Sequence, residues 1–134
     1  MRKYLDELGI ERKDTPEGWG TENDKREEKW RKQREEYGFD ERETWSLDYT
    51  IKLFLYERIK MYNEVNIVDT SYHKFEYKDN QITFQECIDR ILEGLRLDIK
   101  LDEWDKRRYE EEETKEKIED WGQIFILCKD AMWW

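Results

Sequence analysis

GFDERETWSLDYTIKLFLYERIKMYNEV, residues 38–65, carries the plainest periodicity in the chain. Asp40 and Glu43 have the spacing of a capping box, in which two side chains satisfy the free N–H groups that open a helix. Behind them Leu47, Ile51, Phe54, Leu55, Ile59, Tyr62 and Val65 recur at steps of three and four. That spacing places them along one face of an α-helix, so a helix is predicted over about 45–65. Asp48 and Arg58 fall beside the apolar stripe. They read either as solvated flanks or as a partly buried polar pair with a neighbouring helix, and not as catalytic groups.

On the C-terminal side, NIVDTSYHKFEYKDNQI (66–82) breaks the period. It reads as an irregular loop or as a short hairpin around Lys78-Asp79-Asn80, the loop being the preferred reading. Thr83-Phe84-Gln85-Glu86 is a second capping box, and it opens a further stripe of Cys87, Ile88, Ile91, Leu92, Leu95 and Ile99. In the final segment Ile118, Trp121, Phe125, Cys128 and Met132 step by three and four. The chain end therefore reads as the last two turns of an amphipathic helix. Trp133 and Trp134 would be its anchor against fraying or, alternatively, an aromatic patch facing a partner.

On the N-terminal side, TENDKREEKWRKQREEYG (21–38) is rich in strong helix formers. Asp24 is placed to cap it and Gly38 to end it. Its only large apolar residues, Trp30 and Tyr37, are seven apart and share a face, which predicts a mostly solvated helix tethered by two aromatics. Pro16, Gly18 and Gly20 mark a loop before it. The fold class predicted is all-α: a small helical bundle of three to four main helices in one domain, 1–134. Residues 1–37 would form a charged N-terminal extension or helix, and 38–134 the core bundle.

Composition sharpens this. Charged residues make up 45% of the 134 residues and mean hydropathy is −1.21, values that alone suggest disorder. Seven Trp and eight Tyr argue for folding, because each large aromatic buries roughly 150–250 Å². The formal net charge of −10 disfavours direct nucleic-acid binding and favours a basic partner. Cys87 and Cys128 have no metal or redox spacing, which points to a reducing, cytoplasmic compartment. The N-terminus lacks the apolar stretch of a signal peptide. No segment reaches the ~20 apolar residues of a membrane span.

Motifs that announce chemistry are missing. With His73 as the single histidine, a HExxH site is impossible, and Thr70 stands where a Glu-x-x-His pair would need its carboxylate. No phosphate-binding Gly-rich loop and no EF-hand spacing occurs. Ser46 and Ser71, the only serines, have no nucleophile context. The expectation is a non-enzymatic protein with no catalytic, metal or cofactor-binding residues.

The functional signal is acidic. Asp98, Asp102, Glu103, Asp105, Glu110, Glu111, Glu112, Glu113, Glu116, Glu119 and Asp120 crowd one stretch. A continuous helix would carry one carboxylate per ~3 Å of axis, close to the ~3.4 Å spacing of phosphates along a DNA strand. Lys100, Lys106, Arg107, Arg108, Lys115 and Lys117 interleave and dilute that charge, so an ordinary solvated helix face is the competing reading.

Gly38, Phe39, Asp40, Trp45, Leu47, Asp48, Ile51, Phe54, Arg58, Ile59 and Lys60 together resemble a pattern in small proteins encoded by phages and prophages of Gram-positive bacteria. The resemblance spans about 25 residues clearly and is absent from 1–37. It lacks the proline often seen after the second helix. It implies a phage accessory protein in the bacterial cytoplasm and carries no activity with it.

Together these features predict an anti-defence, anti-CRISPR-like inhibitor. Its eleven acids would face a basic nucleic-acid-binding groove of a host protein, such as a CRISPR effector. The alternative is a self-associating phage structural or regulatory protein that docks through its Trp-rich C-terminal helix. The oligomeric state stays open.

Overall fold

A computed structural model describes residues 2–10, 26–103 and 112–132, without the side chains of 102, 103 and 112. The chain is mostly helical, as the sequence predicts. It divides into two compact units, Met1–Phe54 and Leu55–Trp134.

The first unit contains α1 (Lys3–Glu7), α2 (Glu27–Tyr37), a 3-10 turn (Glu41–Thr44) and the start of α3 (Leu47–Val65). Gly38 ends α2 with φ 87°, and its N–H returns to the Arg34 carbonyl at 2.9 Å. That left-handed cap is nearly free of cost only for glycine. Asp40 follows with its carboxylate accepting from the Arg42 N–H, capping the 3-10 turn. Trp30 is fully buried, whereas Tyr37 is 63% exposed. One aromatic therefore tethers α2, where the sequence suggested two. The Asp24 cap and the Pro16 loop lie outside the described residues.

The helix predicted over about 45–65 is present as α3, but its buried face shares only Ile59 with the predicted stripe. Tyr49, Leu53, Tyr56 and Ile59 are buried. Of the predicted stripe, Leu47, Ile51, Phe54 and Val65 are each about half exposed. The physical reason is that α3 has apolar residues almost all round. Tyr49 and Tyr56, large rings that bury much apolar area, hold the interior in place of Leu47, Ile51 and Phe54 in the competing row.

The second unit holds the rest of α3, strands β1 (Lys74–Tyr77) and β2 (Asn80–Thr83), α4 (Phe84–Glu103), α5 (Glu112–Cys128) and a closing 3-10 turn (Lys129–Ala131). The strands pair antiparallel with Phe75 opposite Ile82. The favoured loop reading of 66–82 thus gives way to the hairpin over Lys74–Thr83. Lys78 (φ 49°) and Asp79 (φ 63°) both take the left-handed conformation. Two such residues make the turn whose twist matches a hairpin. Its usual signature is a glycine, and this turn has none.

The Thr83/Glu86 box closes as predicted: Glu86 N–H donates to Thr83 Oγ1 at 3.1 Å, and Thr83 N–H to Glu86 Oε1 at 3.4 Å. Two more free donors of the α4 start are met by the preceding segment. Phe84 N–H reaches the His73 carbonyl at 2.8 Å and Gln85 N–H the Thr70 carbonyl at 2.9 Å. All six residues of the predicted α4 stripe are buried, with Phe84.

Helix α5 runs antiparallel to α4. Cys128 meets Cys87 at one end and Trp121 meets Gly94 and Asp98 further along. Its buried residues are Asp120, Ile124 and Cys128, the last shared with the predicted stripe. The α-helix ends at Cys128 and a 3-10 turn follows, so the expected helix through the chain end stops short. Trp133 and Trp134 lie outside the described residues.

Candidate functional site

The eleven predicted acids do not form one surface. Asp120 is buried and serves the fold. Its carboxylate accepts from the Tyr77 hydroxyl at 2.5 Å and from Lys78 Nζ at 2.9 Å, with an Arg90 guanidinium nitrogen 3.7 Å away. Burial pushes this carboxyl up, but the hydrogen bonds from Tyr77 and Lys78 outweigh it and hold it below the ordinary range. The cluster fastens the hairpin to α5. Removing the hydroxyl by Tyr77→Phe is expected to cost about 1.5 kcal/mol, the scale of a hydrogen bond to a charged group. Urea unfolding of the variant beside the parent checks it.

Asp98 is half-buried and accepts from Trp121 Nε1 at 3.0 Å, tying α4 to α5. Glu113, Glu116 and Glu119 are exposed on α5. Glu113 lies 3.3 Å from Lys117. Steps of three advance each carboxylate by about 4.5 Å along the axis, which makes a short outward row. Asp105, Glu110 and Glu111 lie outside the described residues, as do the side chains of Asp102, Glu103 and Glu112. The structure therefore assigns two of the eleven to internal ties and three to the surface.

The thiols of Cys87 and Cys128 are buried against each other. The Cys87 contact and burial together push the Cys128 thiol far above its ordinary range, so it stays protonated. The expectation of Cys128 as a small core hydrophobe agrees with its full burial. Among the described residues no cluster of three or more His, Cys, Asp or Glu could hold a metal ion. Nor is any described helix long and apolar enough to cross a membrane.

Sequence reasoning missed a pocket in the second unit, about 420 Å³ in volume, at the C-terminal end of α5. His73, Phe75 and Phe84 give it aromatic walls; Val68 and Leu127 add aliphatic surface, and Asp130 a carboxylate. The His73 and Phe75 rings stack face to face at 4.5 Å and 5°. Phe84 stands 6.0 Å from Phe75 at a tilt. The one available signal was the alternation His73, Phe75, Tyr77, a strand period inside a stretch read mainly as loop.

Comparison with protein-family models, with curated proteins and with solved structures returns no match to this chain.

Proposed function

We propose that the chain is a non-catalytic binding protein of phage origin that acts in the bacterial cytoplasm. It lays an acidic face against a basic, nucleic-acid-binding groove of a host defence protein, of which a CRISPR effector is an example. The observation that carries this reading is the outward row Glu113, Glu116 and Glu119 on α5, in a chain of net charge −10. Like charge along a rigid helix steers a basic partner and makes association salt-sensitive. The test is capture from bacterial lysate across a salt series, with mass spectrometry, using the parent and the triple variant Glu113→Lys, Glu116→Lys, Glu119→Lys. All three sites are exposed, so the variant keeps its fold. The expected result is a basic nucleic-acid-binding protein retained at low salt, released as salt rises and lost with the variant. Capture indifferent to both salt and charge reversal removes the reading.

Self-association through the C-terminal region is the second reading. It is supported by Ile126 and Leu127, which are 69% and 39% exposed at the end of α5. Sedimentation of the full chain, of a chain ending at Asp130 and of the double variant Ile126→Lys, Leu127→Lys separates the two. A dimer that dissociates on truncation or with the double variant favours self-association, and monomers throughout exclude it.

A further inference from the structure

We propose that the pocket at the C-terminal end of α5 is a slot for an arginine side chain presented by a protein partner. The proposal rests on the reading of the chain as a binder of basic surfaces, and it names the side chain that is gripped.

Three features of the pocket converge on a guanidinium. The exposed His73 ring is backed by the parallel Phe75 ring, which leaves the outer face of His73 for a planar group, with Phe84 on the far side of the pocket wall against Phe75. A guanidinium is planar and weakly hydrated, so it lies on such a face at little desolvation cost. Asp130 lines the same pocket with its side chain 93% exposed, leaving its oxygens accessible although Lys129 sits 3.1 Å away. A carboxylate beside an aromatic face accepts the N–H groups of a guanidinium in paired fashion. Val68 and Leu127 supply apolar surface for a three-carbon stem.

The competing occupants fit less well. A purely apolar anchor would use the walls and leave the carboxylate without a role. A lysine would reach Asp130, but its ammonium is a strongly hydrated point charge with no flat face to stack. The chain's net charge of −10 selects cationic partners before any local contact forms. Ile67 and Ile126, 81% and 69% exposed, are next in sequence to the lining residues Val68 and Leu127.

The experiment titrates the full chain with a short Gly/Ser peptide bearing one arginine, observed by NMR at the Ala131 and Leu127 methyls and the His73 ring. Parallel peptides carry lysine, leucine or citrulline, the last being the uncharged shape of arginine. Saturable shifts are expected with arginine, weaker ones with lysine, and at least tenfold weaker binding with citrulline, the cost of losing a charge-assisted pair. Asp130→Asn should weaken arginine binding about tenfold and His73→Ala several-fold. Both side chains are exposed, so both variants keep the fold. Absence of saturable shifts, equal binding of leucine or citrulline, or indifference to Asp130→Asn each overturns the slot. If peptide binding fails while salt-sensitive capture of a basic protein persists, only the slot falls. If peptide binding holds while capture is indifferent to salt and charge reversal, only the proposed function falls.

Discussion

Asp40→Ala is expected to lower stability by about 3–5 kcal/mol, the cost of breaking a buried ion cluster from one side. Asp40 is 1% exposed and Arg42 5%. The carboxylate accepts from Arg42 Nε at 3.0 Å, Arg42 Nη2 at 2.8 Å and Arg34 Nη1 at 2.7 Å. It also caps the 3-10 turn through Arg42 N–H at 3.0 Å. Removing it leaves the Arg42 guanidinium buried, with Trp30 (4.1 Å to the ring centroid) still against it. Chemical unfolding followed by tryptophan fluorescence measures the loss.

The same group sets a pH dependence. Burial raises the Asp40 carboxyl, but the Arg42 and Arg34 hydrogen bonds prevail and hold it at about 2 against an ordinary 3.8. A depressed carboxylate stabilises the fold above its unfolded value. Its contribution, about 2 kcal/mol, is complete above pH ~4 and is lost as pH falls from there toward ~2. The gap between parent and Asp40→Ala should therefore narrow over that window and stay constant above it.

Gly94→Val is expected to cost about 3 kcal/mol, the upper range of overpacking in a tight core. A Cβ at Gly94 would stand 2.5 Å from Trp121 Cβ and 2.6 Å from the Lys117 carbonyl oxygen. Neither is the free end of a flexible side chain, so α4 and α5 must separate to admit it. Even Gly94→Ala should lose stability, although alanine gains about 1 kcal/mol in helix propensity. Gly122, within α5, has nothing within 4 Å of where a Cβ would stand. Gly122→Ala should therefore gain about 0.5–1 kcal/mol. The opposite signs, read from paired thermal unfolding curves, identify close helix approach as the cause.

Legibility of the fold followed how strongly one face outweighed the other. On α4 the apolar and charged faces are sharply separated, and the whole predicted stripe is buried. On α3 apolar residues surround the helix, so period alone could not choose between the row of Leu47, Ile51 and Phe54 and the row of Tyr49, Leu53 and Tyr56. The hairpin was hidden because Lys78-Asp79 carries no glycine, and its stability comes from a contact far along the chain, Tyr77 to Asp120.

The stretch that opens at residue 38 has a physical account at its start. Gly38 is the left-handed stop of α2 and Asp40 the buried cap and ion-pair centre. Conversely, counting carboxylates overstated the acidic surface. A sequence shows that Asp98 and Asp120 are charged, but not that Trp121 and Tyr77 claim them. The pocket needed three separate segments to come together, and that juxtaposition is a tertiary fact.

The most direct measurement is competition on the captured partner. A labelled oligonucleotide is bound to that partner at low salt, the acidic chain is added, and fluorescence anisotropy follows the label. Occupation of the basic groove predicts stoichiometric release of the oligonucleotide, with no release by the Glu113→Lys, Glu116→Lys, Glu119→Lys variant. A ternary complex that keeps the oligonucleotide bound while the chain docks would contradict the account.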